Sequence, residues 1–152
     1  KVPIAAVYPA PALQPSIDNN MRPPETDKVA YGAYLTAFAA CGECHTPMTD
    51  KGPDMTRQFA GGFVFDLGIF KVGTSNITSD SATGIGKWTE DMFMAKFIPY
   101  RVEKNYNYVA GKANTIMPVN MYAGMKDDDL KAIYAYLKTT KPITNKVEKY
   151  PK

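Results

Sequence analysis

The sequence predicts a mostly α-helical fold in which three main helices are joined by long loops. Residues spaced as on one helical face recur in three separated stretches, near residues 26–40, 89–98 and 127–141. Between the first two stretches, glycine and proline interrupt every long pattern in residues 46–87. A chain of 152 residues suits one domain, so we expect a single helical unit with extensive loops.

The first helix is predicted over residues 26–40, with Thr26 as its N-cap and Asp27 in its first turn. Gly32 is unfavourable inside a helix, and we expect it where another helix approaches closely. One face of this helix carries residues at helical spacing: Ala30, Ala33, Tyr34, Ala37 and Phe38.

The later elements are shorter. Residues 63–65 and 68–72 are predicted to form the two strands of a hairpin. Thr89 is the expected N-cap of a second helix, which Pro99 ends. The last helix is the clearest, because three aspartates fill its first turn and four apolar residues follow at helical spacing: Leu130, Ile133, Tyr134 and Leu137.

Residues 1–24 are predicted to be a proline-rich N-terminal extension, which leaves residues 25–152 as the single domain. Such backbone is extended, and it would serve either as a linker or as an arm wrapped around the domain. The stretch holds half of the chain's twelve prolines: Pro3, Pro9, Pro11, Pro15, Pro23 and Pro24.

A short motif, Cys-Gly-Glu-Cys-His, directly follows the first predicted helix and contains Cys41, Cys44 and His45. This spacing is the one used for covalent haem attachment, in which two thiols add across the haem vinyl groups and the adjacent imidazole binds the iron. One helical turn can hold both thiols along one porphyrin edge. His45 should donate its other ring N–H to a backbone carbonyl, most plausibly in the loop of residues 46–53.

Three other uses of two such cysteines fit poorly. Zinc would usually need four ligands, and these three residues are the entire cysteine and histidine content of the chain. A thioredoxin-like redox pair would require a βαβ pattern, which is absent, and a structural disulfide would not explain the adjacent histidine. The sequence therefore predicts one haem c, covalently bound through Cys41 and Cys44, with His45 as a ligand of the iron.

Methionine is the natural candidate for the second axial ligand, because no other histidine is present. Met117, Met121 and Met125 precede the last helix, and we favour Met117 because Pro118 stiffens the loop that carries it. The alternative is an open sixth site in a haem enzyme or gas-binding protein. Its distal groups would come from three polar residues: Tyr106, Tyr108 and Arg101.

Composition restricts the partners and the compartment. The net charge of +3 would fall to about +1 with two haem propionates, so nucleic acid is not an expected partner. No stretch is long and apolar enough to span a membrane. The first residue is lysine, as in a processed chain, and haem is joined to cysteine outside the cytoplasm, so we expect a periplasmic or otherwise extracytoplasmic protein. Four lysines could steer an acidic partner: Lys51, Lys71, Lys87 and Lys112.

Five segments in order resemble the class I c-type cytochromes, and more narrowly the single-haem cytochrome domains of bacterial alcohol and gluconate dehydrogenase complexes. They are Gly-Ala-Tyr-Leu at 32–35, the haem motif extended through 47, Asn-Ile-Thr to Trp-Thr at 76–89, Met-Pro at 117–118, and residues 125–137. The resemblance covers residues 26–140. One departure is Lys126, where such proteins usually have a serine or threonine N-cap.

The resemblance implies a cytochrome c fold in which the first and last helices cross near Gly32 and Tyr134. It also implies His45 and Met117 as the axial ligands, and it makes Asn76 and Trp88 candidate neighbours of the haem propionates. The expected function is electron transfer rather than catalysis. The expected partners are redox proteins, namely a dehydrogenase, an oxidase or another cytochrome.

Overall fold

The computed structural model describes residues 22–105 and 115–151. Among these residues the α-helices are α1 (Lys28–Phe38), α2 (Cys41–His45), α3 (Glu90–Met94), α4 (Val119–Ala123) and α5 (Asp127–Leu137). Two two-stranded sheets lie between α2 and α3. Most of the predicted proline-rich extension lies outside the described residues, as do Tyr106, Tyr108 and Lys112.

Helix α1 begins one residue later than predicted. The carboxylate of Asp27, not the Thr26 hydroxyl, accepts the Ala30 N–H at 3.0 Å and caps the helix. The face of α1 identified by helical spacing is not the buried one, because the buried residues are Tyr31, Gly32, Leu35 and Thr36, whereas Phe38 is 81% exposed. Gly32 decides this orientation, since the face that includes it is the one that another helix can approach.

Helices α1 and α5 cross at Gly32, as the close-approach prediction requires. A Cβ on Gly32 would lie 1.9 Å from the carbonyl oxygen of Ala132 and 2.9 Å from the Cβ of Tyr136. The crossing on α5 is therefore at Ala132 and Tyr136 rather than at Tyr134, which faces α3 and packs 5.6 Å from the Phe93 ring. Because only glycine allows this distance, the crossing depends on one residue of α1.

The predicted second helix is much shorter than expected. Thr89 caps it as predicted, with its hydroxyl accepting the Met92 N–H, but α3 spans only Glu90–Met94. The backbone then tightens to i→i−3 hydrogen bonds at Phe97 and enters a 3₁₀ helix, Ile98–Arg101. Pro99 explains this change, because proline has no N–H and disfavours α conformation in the residue before it. The prediction of three main helices therefore becomes two long helices and three single turns among the described residues.

The predicted hairpin is confirmed. Strands β3 (Val64–Asp66) and β4 (Lys71–Gly73) are antiparallel, with Phe65 opposite Val72, whereas β1 (Met48–Thr49) and β2 (Gly52–Pro53) form a smaller pair. The core lies between α1, α3 and α5, and its largest members are Tyr31, Leu35, Phe59, Ile85, Phe93, Phe97, Leu130, Ile133 and Leu137. None of the helices in residues 22–105 and 115–151 has the length and hydrophobicity to cross a membrane.

Candidate haem-binding site

The cysteine motif forms a separate single turn of helix, α2, immediately after α1. The chain turns between the two helices at Ala40, whose φ of 53° is left-handed. Both cysteines are free thiols, with Cys44 exposed and Cys41 half-buried against the core. Burial raises the pKa of Cys41 to about 11. Cys41 is therefore a protonated thiol at neutral pH, and both sulfur atoms lie on one turn of helix, as the sequence predicted.

His45 closes the same turn and makes one decisive hydrogen bond. Its Nδ1 lies 2.7 Å from the carbonyl oxygen of Ser75. A carbonyl oxygen only accepts, so Nδ1 carries the proton and the lone pair is on Nε2. Burial lowers the pKa of His45, and the Ser75 hydrogen bond opposes this shift. The ring is therefore neutral at pH 7, with Nε2 able to bind a metal.

The source of that carbonyl differs from the prediction. A backbone carbonyl does orient His45, but it comes from Ser75 and not from the loop of residues 46–53. The neighbouring loop has another function: the buried Thr46 hydroxyl accepts the N–H of Phe59, and Gly61 N–H donates to the carbonyl of His45 at 2.7 Å. The acceptor comes from thirty residues away along the chain, so no local pattern identified it.

The loop with Met117 is joined to the cysteine motif through Tyr122. Met117 is half-buried and, like Cys41, packs against the core. Helix α4 follows directly, and its Tyr122 hydroxyl donates to the Ala39 carbonyl at 2.8 Å, two residues before Cys41. Burial raises the pKa of Tyr122, and the negative charges that Cys41 and Cys44 would carry as thiolates raise it further. The structure thus joins α4 to the residue two positions before Cys41, and no pattern in the sequence singles out Tyr122 for this contact.

Met121, Met125 and Arg101 were the other candidates for the sixth site of the iron, and their environments differ from one another. Met121 is 73% exposed, whereas Met125 is half-buried and packs against the core. The Arg101 guanidinium donates to the carbonyl of Ala123 at 2.9 Å and pairs with Asp127 at 2.5 Å. The Arg101 guanidinium is therefore engaged with the turn before α5.

Asn76 and Trp88 were predicted as neighbours of the haem propionates, and the structure gives them different surroundings. Asn76 is buried, and its Nδ2 donates to Thr83 and to the carbonyl of Ile143, which uses both amide hydrogens within the chain. Trp88 is half-buried, and the Lys96 ammonium lies 4.9 Å from its ring centroid. Because Asn76 has no amide hydrogen left for another acceptor, any propionate contact there would require it to exchange partners.

These residues suit a covalently attached haem. The structure supplies two free cysteine side chains and a neutral imidazole with a fixed tautomer on one helical turn, and the half-buried Met117 thioether packs against the same core as Cys41. This is the donor set that a c-type haem requires. Within residues 22–105 and 115–151, no cluster of three or more His, Cys, Asp and Glu side chains could hold a metal ion.

Comparison with known proteins defines the class. The cytochrome c family model matches residues 29–141, which include all of α1 except its first residue, all of α2 to α5 and the whole cysteine motif. The chain belongs to the cytochrome c family, a family of haem-carrying electron-transfer proteins.

Its relatives are cytochrome subunits of dehydrogenases. It is 36% identical over 108 residues to the gluconate 2-dehydrogenase cytochrome c subunit of Pantoea cypripedii, covering 71% of this chain and 22% of that protein. It is 30% identical over 133 residues to the alcohol dehydrogenase (quinone) cytochrome c subunit of Gluconobacter oxydans, covering 85% of this chain and 27% of that protein. It is 30% identical over 116 residues to the fructose dehydrogenase cytochrome subunit of Gluconobacter japonicus, covering 76% of this chain and 22% of that protein. The chain thus spans about a quarter of the length of these relatives.

Proposed function

We propose that the protein is a single-haem electron carrier and not itself an enzyme. The observation that carries this proposal is the hydrogen bond from His45 Nδ1 to the Ser75 carbonyl, because it leaves Nε2 free on the same turn as two unpaired thiols. Cys41 and Cys44 would form thioether bonds, each with its sulfur joined to one vinyl carbon and its hydrogen to the other. A haem bound there would supply an iron that takes up and releases one electron at a time.

Met117 is the proposed partner of His45 at the iron. Its thioether is a soft ligand that favours the ferrous state, so a His/Met pair would give a comparatively high reduction potential. Two features support this choice: Met117 packs against the same core as Cys41, as Met125 also does but Met121 does not, and Pro118 and α4 restrain the backbone of Met117. Met121, with most of its side chain in solvent, lacks this packing.

The proposed partners are redox proteins, with a dehydrogenase favoured by the names of the relatives. Electrons would leave or enter at the cysteine edge, where Cys44 is exposed. Lys51 and Lys87 are exposed and available for electrostatic steering, whereas Lys71 is 3.6 Å from Asp66. The proposed location is the periplasm, where haem is joined to cysteine, so only exported protein should acquire covalent haem.

The test is a comparison of haem attachment in the wild type and a Cys41→Ser/Cys44→Ser double variant, both exported with the haem-attachment machinery. The wild type should retain one haem per chain after denaturation and acid extraction, and the double variant none. Reduced wild type should bind carbon monoxide slowly, because Met117 would occupy the sixth site. A wild type without covalent haem would contradict the proposal, and rapid carbon monoxide binding would favour an open-site haem protein.

A further inference from the structure

Two distant segments of the chain hold His45 in place. The Ser75 carbonyl accepts the ring Nδ1–H, and the Gly61 N–H donates to the His45 main-chain carbonyl, each at 2.7 Å. One contact therefore sets the orientation of the ring and the other sets the position of the backbone. Any group that fixes the positions of both segments relative to each other also determines the position and orientation of the His45 imidazole.

Gly61 and Ser75 are themselves in direct contact. A Cβ on Gly61 would lie 2.4 Å from the carbonyl carbon of Ser75 and 2.5 Å from its oxygen, and the φ of Gly61 is +68°. Next to this pair, the Gly62 N–H donates to the Thr74 carbonyl at 2.8 Å. A displacement of residue 61 is thus transmitted to the carbonyl that orients His45, because there is no free space between them.

The chain after α5 runs across both segments, and we refer to its residues 140–149 as the C-terminal strap. Asn145 Nδ2 donates to the Ala60 carbonyl at 2.9 Å and lies 3.4 Å from the Gly61 carbonyl oxygen. The main-chain N–H of Asn145 donates to Thr83 at 2.9 Å. Asn145 therefore fastens the strap to the segment that contains Gly61.

The strap is also fastened on the Ser75 side. Asn76, the next residue after Ser75, donates from Nδ2 to the Ile143 carbonyl at 2.7 Å, and the Gly73 N–H donates to the Lys149 carbonyl at 2.9 Å. The attachments at Gly73 and Asn76 lie on either side of Ser75 in the sequence. Asn145 supplies the corresponding attachment at residues 60–61. The strap thus connects the two segments that hold His45.

We infer that Asn145 is a positioning residue for the iron ligand His45, acting through Gly61 and Ser75. The effect of Asn145 on the reduction potential rests on the proposed function, in which His45 binds a haem iron. Hydrogen bonding of the ring Nδ1–H to a carbonyl makes the imidazole a more basic ligand, which favours the ferric state. Loosening that bond should therefore raise the reduction potential, although the hydrogen bonds of Asn145 go to Ala60, Gly61 and Thr83 and not to the ring.

The discriminating variant is Asn145→Asp, which keeps the size of the side chain and removes its donors. Thr144→Val is the matched control, since its hydroxyl donates from the same strap to Asp80 at 3.0 Å and not to residues 60–61. Three quantities are compared by NMR and potentiometry in ferrous haem-loaded protein: exchange of the Gly61 N–H, exchange of the His45 Nδ1–H, and the reduction potential.

In N145D both protons should exchange about 3- to 10-fold faster, the change expected for the loss of one hydrogen bond, and the potential should rise. In T144V both exchange rates and the potential should stay at the wild-type values. Equal shifts in N145D and T144V would contradict the positioning role and leave only a general loss of stability. Wild-type values in N145D would also contradict it.

A second measurement needs no variant. In wild type with low urea, the amide protons of Gly61 and Asn145 should exchange with the same opening free energy, because the strap and residues 60–61 open together. Opening of Asn145 without Gly61 would overturn the inference. If the wild type carries no haem, the proposed function fails separately, while Gly61 exchange in the same sample still tests the strap.

Discussion

At the scale of single residues, His45 shows how one hydrogen bond selects a chemistry. The Ser75 carbonyl fixes the proton on Nδ1, and burial keeps the ring neutral, so Nε2 is the atom left to bind a metal. Cys41 is likewise a protonated thiol because burial raises its pKa. These states suit thioether formation and iron ligation better than thiolate chemistry at neutral pH.

Met117 gives the residue-scale prediction. Met117→Ala should abolish the weak long-wavelength absorption that sulfur ligation gives ferric haem, lower the reduction potential, and allow fast carbon monoxide binding to reduced protein, because the sixth position would lose its thioether. The optical spectrum and a carbon monoxide titration measure these effects. Met121→Ala is the control and should retain the wild-type spectrum, since its side chain is 73% exposed. An unchanged spectrum in M117A would exclude Met117 as the ligand.

At the scale of the elements, the crossing of α1 and α5 positions the haem motif. Helix α1 ends at Phe38, three residues before Cys41, so its packing on α5 places the start of the motif. The Tyr31 hydroxyl donates to Asp129 at 3.0 Å and adds a polar contact between the two helices. Tyr122 then brings α4 to the Ala39 carbonyl. The motif and the Met117 loop are therefore held by the same helical framework.

Gly32→Ala is the element-scale prediction. The new methyl group would lie 1.9 Å from the Ala132 carbonyl oxygen, so the helices must separate, at a cost of about 1–3 kcal/mol or more in the free energy of unfolding. Urea unfolding followed by circular dichroism measures this loss. Gly42→Ala is the control, because its nearest neighbour would be the Phe59 ring at 3.6 Å, and it should change stability by less than about 1 kcal/mol. Equal stability of G32A and wild type would disprove the tight crossing.

At the scale of the whole molecule, polar contacts tie the loop of residues 76–86 to the C-terminal strap. Asp80 is the centre of this network: its carboxylate accepts two hydrogen bonds from Thr83, one from the Ala82 N–H and one from the Thr144 hydroxyl. The Thr83 hydrogen bonds, then those from Thr144 and Ala82, hold the pKa of Asp80 below its ordinary value, against the opposing effect of burial. Residues far apart in sequence thus meet in one polar network around Asp80.

The acid dependence of Asp80 is the whole-molecule prediction. Because its native pKa lies below the unfolded value of about 3.9, the ionised carboxylate stabilises the fold above that pH, and the contribution is lost as the pH falls through the native pKa. Asp80→Asn should be less stable than wild type at about pH 7, and the gap should narrow at about pH 3. Urea unfolding at both pH values measures the difference in the free energy of unfolding between D80N and wild type.

The control for this prediction is Asp50→Asn, because Asp50 is exposed. D50N should differ from wild type by less than about 0.5 kcal/mol at either pH. A gap between D80N and wild type that does not change with pH would show that the network stabilises the fold through shape and not through the charge of Asp80.

The local features of the protein could be predicted from the sequence. The turn through Cys41 and Cys44, the capping of α3 by Thr89, the β3–β4 hairpin and the apolar stripe of α5 each depend on residues close together in the chain. Gly32 as a helix contact was also predictable, because glycine inside a helix requires a reason. The cysteine motif alone predicted haem chemistry, since Cys41, Cys44 and His45 are the residues proposed to attach the haem and bind its iron.

Only the tertiary structure decided which groups support that chemistry. The acceptor for His45 is the backbone carbonyl of Ser75, and every residue has such a carbonyl, so no residue type distinguishes it in advance. The same holds for the buried face of α1, which α5 selects, and for Asn145, whose amide contacts Ala60, 85 positions away along the chain. The two thiols and the imidazole are close together in sequence, whereas the orientation of the imidazole is set by long-range packing, because backbone groups acquire their roles only when distant segments meet.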